Sequence, residues 1–257
     1  MTTPILIDFD GVIRLGKKPA PDAKVFLTFL GENNIPSYII SNSTLLTGEG
    51  ITEFLNKNNL PVEIPAMTSA DAALQYVKEN FQRVSVYCNE SIRRNFVDYI
   101  DDENPEAVLI GDNGKNWDFE MMNEIFTKVF NGAKIIAMHF NKYWYPDGKE
   151  LVMDAGGFIK AIEYSSGKDA ILIGKPSPIY FQSALTMLGY EKNADFLMIG
   201  DDLETDITGA QQCGGKGLLV YTGKTKYPVS KNSNTKPVYE AKNLAEVIEI
   251  VKKLEII

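Results

Sequence analysis

The stretch Ile5-Leu6-Ile7-Asp8-Phe9-Asp10-Gly11-Val12 decides how the rest of the chain is read. An unbroken apolar run stops abruptly at two carboxylates and a glycine. Strands buried on both faces of a parallel sheet have this continuous apolar character, whereas a strand with one wet face alternates. Asp8 and Asp10 are two residues apart, so an extended backbone turns both side chains to the same face.

The signature recurs along the chain. Ser37-Tyr38-Ile39-Ile40 stops at Ser41-Asn42-Ser43, Ala170-Ile171-Leu172-Ile173 at Gly174-Lys175-Pro176, and Phe196-Leu197-Met198-Ile199 at Gly200-Asp201-Asp202. Leu218-Leu219-Val220 is a fifth run. Helical spacing appears between them: Val25, Phe26, Phe29 and Leu30; then Tyr180, Phe181, Ala184, Leu185 and Leu188; and last Leu244, Val247, Ile248, Val251 and Leu254 behind a capping Asn243. Strands alternating with helices predict a parallel sheet covered on both faces. Ligands of such sheets bind just beyond the carboxyl ends of the strands. Four neighbouring strand ends would bring carboxylates, a hydroxyl and an ammonium into one crevice.

Composition narrows the classes. The chain has 257 residues, 44% hydrophobic and 23% charged, the balance of a globular protein. A net charge of −8 argues against a nucleic-acid partner, and no apolar run is long enough to span a bilayer. The start lacks the basic flank and cleavage site of a secretory signal, so a cytoplasmic location is expected. Cys88 and Cys213 make neither a disulfide framework nor a zinc site and are expected as buried thiols.

The chemistry of the strand ends is specific. Asp8, Asp10 and Asp201 form a hard-oxygen cluster that suits Mg²⁺. Lys175 adds a positive charge and Ser41 a hydroxyl donor. Phosphoryl transfer needs mainly positioning and charge stabilisation, and this inventory supplies both. The single histidine, His139, lies far from the motif ends in sequence, and no P-loop or dinucleotide fingerprint occurs. A carboxylate is left as the available nucleophile.

Asp8-Phe9-Asp10-Gly11-Val12, Ser41, Lys175 and Gly200-Asp201-Asp202-Leu203-Glu204-Thr205-Asp206 resemble, in order, the four motifs of the haloacid dehalogenase (HAD) superfamily. Asn116-Trp117-Asp118 and Gly174-Lys175-Pro176-Ser177-Pro178 resemble its class IIA branch. The resemblance implies a Rossmann-like α/β core with an inserted α/β (C2-type) cap, and Mg²⁺-dependent hydrolysis of a small phosphorylated metabolite. It implies that Asp8 attacks phosphorus and that Asp10 is the general acid and base. Asp8, the main-chain carbonyl of Asp10, and Asp201 would bind Mg²⁺. Phe9, Ser41, Asn42 and Lys175 would join Asp8 and Asp10 around the phosphate, with Lys175 also counted as catalytic. Asp206, and with less definition Asp202, would act from behind the ligands, orienting Lys175 or water. A homodimer through the cap is a further expectation of the resemblance.

The segment between Ser41 and Lys175 is far longer than a crossover needs. It holds strand-like runs at Val84–Tyr87, Ala107–Ile110 and Ile135–Met138, and a helical stripe at Met121, Met122, Ile125, Phe126 and Val129. The expected organisation is core over 1–73, cap over 74–170 and core again over 171–257. Within the cap, the segment from His139 to Phe158, with Tyr143, Trp144 and Tyr145 beside the Pro146-Asp147-Gly148 turn, is the expected source of selectivity. His139 itself reads as structural. Competing readings on the same fold are a phospho-accepting signalling module and a non-catalytic phosphate-binding protein. A dehalogenase would need neither the Asp10 pairing nor the metal cluster.

Overall fold

The computed structural model describes residues 2–144, 151–230 and 233–254. They divide into two compact units. One comprises residues 1–41, 48–67 and 175–257, and the other residues 42–47 and 68–174.

The first unit is built on a six-stranded sheet. Its order is Tyr239–Ala241, Lys216–Val220, Leu197–Gly200, Ile5–Asp8, Ser37–Ser41 and Ala66–Thr68. The four pairings from Tyr239–Ala241 to Ser37–Ser41 are parallel. Ile5, Leu6 and Ile7 are wholly buried, as are Ile39, Ile40, Met198 and Ile199. That accounts for the unbroken apolar runs, because each strand is covered on both faces. The register aligns Asp8 with Ile40 and Ile7 with Ile199, so three strands end level at one edge.

Helices cover this sheet through the expected stripes, with local departures. In Ala23–Glu32 the buried set is Ala23, Phe26, Leu27 and Leu30, while Val25 is exposed. Pro178–Met187 buries Tyr180, Phe181, Ala184 and Leu185 and is followed by Gly189 at φ 79°. Asn243 caps Leu244–Lys253 by accepting a hydrogen bond from the Glu246 N–H at 3.0 Å. Tyr180 does more than pack. Its hydroxyl donates to the carbonyl oxygen of Ser41 (2.7 Å), lies 3.0 Å from that of Met67, and accepts from the Ser41 N–H (3.1 Å). One phenol thus ties a helix to the ends of two neighbouring strands.

The second unit has its own parallel sheet, ordered Ile171–Leu172, Lys134–Ala137, Ala107–Ile110 and Val84–Tyr87. Here the structure corrects the sequence reading. The run Ala170–Ile173 was expected to be a core strand delivering Lys175, yet it pairs with Lys134–Ala137 in this second sheet. A short run buried in one parallel sheet looks the same as one buried in another, so periodicity alone does not assign it. Phe119–Phe130 is capped by Asp118 and buries Ile125 and Val129, with Met121, Met122 and Phe126 packed beside them. Trp117 stacks on Phe158 with centroids 4.3 Å apart. Cys88 is buried, whereas Cys213, expected to be interior, is half-buried; both are free thiols.

Tyr180→Phe removes a hydroxyl shared by three buried main-chain groups. Leaving buried polar groups without such a partner costs about 1–3 kcal/mol. Urea unfolding of this variant should show a lower midpoint with an unchanged slope.

Candidate active site

Asp8 is the last residue of the central strand and is 5% exposed. Lys175, also buried, reaches it: Nζ lies 2.5 Å from Asp8 Oδ1 and 2.7 Å from Asp206 Oδ1. The latter contact is a buried ion pair. Asp206 Oδ2 accepts the main-chain N–H groups of Asp201 and Asp202, each at 3.1 Å. This folding back is possible because Leu203–Thr208 is wound as a π-helical turn, a feature often found at functional sites. It also requires Gly200, where a Cβ would lie 2.3 Å from Asp206 Oδ2.

Asp201 faces the same point. Carboxylate oxygens of Asp8, Asp201 and Asp206 lie within 4.8 Å of one another. Asp206, expected behind the ligands, therefore stands inside the carboxylate cluster. Gly11, at φ 99°, passes so close that a Cβ there would sit 2.3 Å from Asp201 Cγ. Asp201 Oδ2 accepts the Lys224 N–H at 2.5 Å, and its carbonyl accepts the Thr225 N–H at 3.0 Å. Asp202 is turned elsewhere: it accepts the N–H of Glu204 at the start of the π-helical turn and pairs with the Lys224 ammonium at 2.5 Å.

Burial is the main force on these charges. It raises the pKa of Asp8 well above the usual carboxylate range, opposed by Lys175 and reinforced by repulsion from Asp206 and Asp201. Asp201 is pushed up to about 6, by burial first and Asp206 next. Asp206 is likewise raised by burial against the pull of Lys175. Burial works against the Lys175 ammonium too, but Asp206 and Asp8 outweigh it and hold its pKa above the ordinary value. Three buried carboxylates thus share one ammonium. The donors are hard oxygens without thiolate or imidazole, and the deficit of positive charge matches a divalent cation. The residues present fit Mg²⁺.

Asp10 lies outside this cluster. Its side chain is 46% exposed and is held by Arg14, with Nε 2.7 Å and Nη2 2.6 Å from Oδ1. Its Oδ2 is 3.4 Å from the Ser41 hydroxyl. Phe9 is buried and lies under the Arg14 guanidinium. Ser41 ends its strand beside Asp8, whereas Asn42 opens the second unit, where its carbonyl accepts from the Ser69 hydroxyl at 3.1 Å.

The selectivity segment lies in the second unit and is only partly described. Tyr145, Pro146, Asp147 and Gly148 fall outside the described residues. Tyr143 is 51% exposed, on a strand pair formed by Tyr143–Trp144 and Val152–Met153. Asp154, counted among the candidate contacts, is instead 6% exposed and caps Ala155–Ser166 through the Ala155 N–H at 2.7 Å. His139 is buried; its Nδ1 accepts from the Asn141 N–H at 3.1 Å, and Nε2 faces Thr44 and Asp154.

The sequence reading missed Arg14 and Lys224, and took Tyr180 only as part of an apolar helical stripe. Lys224 was within reach of the rule already used, because it follows the end of the fifth apolar run. Arg14 and Tyr180 carried no such signal, since a turn and a helix face bring them in.

The raised pKa of Asp201 has a stability consequence. Between its ordinary value of 3.8 and about 6 the unfolded chain has lost this proton while the folded chain keeps it. Folding stability therefore falls as pH rises through that window, and the deficit is complete above it. In EDTA, Asp201→Asn should melt a few degrees above the parent near pH 7.5, and the gap should close toward pH 4. A parent that melts higher than the variant near pH 7.5 would contradict this.

Comparison with known proteins agrees with the geometry. The family model described as haloacid dehalogenase-like hydrolase matches residues 5–99, and one described as HAD-hydrolase-like matches residues 172–247. A phospholysine phosphohistidine inorganic pyrophosphate phosphatase from Rattus norvegicus is 36% identical over 183 residues, covering 71% of this chain and 67% of that protein. Haloacid dehalogenase-like hydrolase domain-containing protein 2 from Bos taurus is 28% identical over 95% of this chain and 94% of its own. The crystal structure of a 4-nitrophenylphosphatase from Thermotoga maritima superposes with a TM-score of 0.85 at 26% identity over 96% of both chains. With a carboxylate at the end of the central strand, a buried lysine pairing it with Asp206, and relatives of this identity and coverage, the chain belongs to the haloacid dehalogenase-like hydrolases, in their class IIA branch.

Proposed function

We propose that this chain is a Mg²⁺-dependent phosphatase of small phosphomonoesters that works through an aspartyl-phosphate on Asp8. The observation that carries the reading is the buried ion pair of Asp8 and Lys175 at the end of the central strand, inside a cluster of three carboxylates. A carboxylate so placed is aimed at an incoming phosphorus, and an ammonium beside it neutralises phosphoryl oxygens.

In this reading an oxygen of Asp8 bonds to phosphorus as the ester P–O bond breaks. The departing oxygen takes the proton of the Asp10 carboxyl group and leaves as the alcohol. Asp10, now a carboxylate, accepts a proton from water, whose oxygen attacks the phosphorus of the aspartyl-phosphate. Asp8 departs as a carboxylate and phosphate is released. Lys175 and Ser41, with the main chain of Asn42, bind the phosphoryl oxygens, and Phe9 sets the turn that presents Asp10. Asp8, Asp201 and the main-chain carbonyl of Asp10, beside Asp206, would hold Mg²⁺, which when bound would supply positive charge for the transfer.

The inserted unit, read as residues 74–170, serves as a cap that selects the leaving group. Pyrophosphate and phosphoamidates are candidate substrates beside phosphomonoesters, in view of what the Rattus norvegicus relative is named for. No helix among the described residues is long and apolar enough to cross a membrane. The proposed location is the cytoplasm.

Asp8→Asn keeps size and removes the nucleophile. Turnover of 4-nitrophenyl phosphate should fall at least about 10³-fold. In the parent, EDTA should abolish activity and Mg²⁺ restore it, while Ca²⁺ should inhibit through its larger, looser coordination. Hydroxylamine-labile phosphate should accumulate on Asp10→Asn, where attack proceeds without deacylation, and be absent from Asp8→Asn. An active Asp8→Asn, with deamidation excluded by mass spectrometry, overturns the covalent reading.

A further inference from the structure

We infer that Arg14 is a positioning residue for the Asp10 carboxyl group, and that it acts on the step in which the leaving oxygen is protonated. The inference rests on the phosphatase reading and adds to it a residue outside the family motifs quoted above.

The geometry is unusual for an exposed ion pair. Both Nε and Nη2 of Arg14 address one oxygen, Asp10 Oδ1, at 2.7 and 2.6 Å. The other oxygen, Oδ2, is left on the side of Ser41, whose hydroxyl is 3.4 Å away. Ser41 ends the strand adjacent to Asp8, so Oδ2 is the oxygen turned toward the strand ends. The guanidinium is itself held in place. It lies 4.6 Å from the centroid of the Phe9 ring and 5.7 Å from that of Phe54, and these two rings meet edge to face at 5.3 Å. The backbone locks the same turn: the Arg14 N–H donates to the Phe9 carbonyl at 2.8 Å, and the Gly11 N–H donates to the Arg14 carbonyl at 2.8 Å. An arginine free to wander would lose most of its effect to solvent and entropy; one stacked on two rings keeps its fork oriented.

The consequence follows from charge. When Asp10 gives its proton from Oδ2 to the departing ester oxygen, it becomes a carboxylate. A guanidinium already seated on Oδ1 stabilises that product and fixes which oxygen faces the ester. Its contribution therefore grows with the need for the proton. Nitrophenolate leaves without one, phenolate gains from one, and an alkoxide depends on it.

The test is a leaving-group series of similar shape: 4-nitrophenyl, phenyl and benzyl phosphate, read as kcat/KM, which reports the phosphoryl-transfer step. Arg14→Met should lose at least about tenfold more on benzyl than on 4-nitrophenyl phosphate, with phenyl phosphate between them. Arg14→Lys should recover part of the loss, since one ammonium can meet Oδ1 without the fork. Asp10→Asn sets the steepest dependence on the leaving group. If Arg14→Met does not fold, as judged by thermal melting, Phe54→Leu should show the same graded pattern more weakly. Equal losses on all three esters would assign Arg14 to phosphate binding or to structure and overturn the inference, as would unchanged or faster turnover. A parent enzyme that hydrolyses none of the three overturns the phosphatase reading and this inference together. A parent that hydrolyses them while Arg14→Met shows no grading overturns the inference alone.

Discussion

The Lys175 ammonium, buried between Asp8 and Asp206, is the contact on which the site depends. Burial removes most solvent screening from these groups, so their mutual pairing and the main-chain N–H groups on Asp206 count for more. Breaking such a pair from one side leaves a buried charge uncompensated, which is far more costly than the pair itself is stabilising. The rest of the site is arranged around that constraint. Asp206 turns back onto the main chain of Asp201 and Asp202 through a π-helical turn, and a glycine at 200 makes room for it.

The cluster is also unbalanced, and the imbalance is informative. Three carboxylates against one ammonium raise the proton affinity of Asp8, Asp201 and Asp206 in the metal-free protein. A site built only for stability would not keep them together. Hard oxygen donors with a deficit of positive charge suit a divalent cation and a doubly charged substrate, which supports the proposed reaction. Asp10 is treated differently. It stands at the solvent side of the turn, with an arginine in place of buried neighbours. Two carboxylates two residues apart thus face opposite environments, the arrangement expected where one attacks and the other moves protons.

Much of this was legible in the chain. Continuous apolar runs identified the strands of a parallel sheet, because full burial removes the alternation seen in half-exposed strands. The rule that such sheets bind ligands at their carboxyl ends points to Asp8, Ser41 and Asp201 from the sequence alone. The same rule points to Lys175, which does reach Asp8, although the strand that precedes it belongs to the second sheet.

The sequence by itself determined the α/β class, the inserted unit and the order of the charged motifs, since these depend on local periodicity and on residue type. Only the tertiary structure decided what each charge faces. That Asp206 joins the carboxylate cluster, that Arg14 and Lys224 hold Asp10 and Asp202, and that Tyr180 ties two strand ends are pairings settled by packing. Most of these partners lie tens to hundreds of residues apart in the chain. Even Asp10 and Arg14, four apart, meet only because the turn between them closes as it does. A one-dimensional pattern records which groups are present. Which of them share a low-dielectric interior, and so which charges must be answered, is a property of the folded chain.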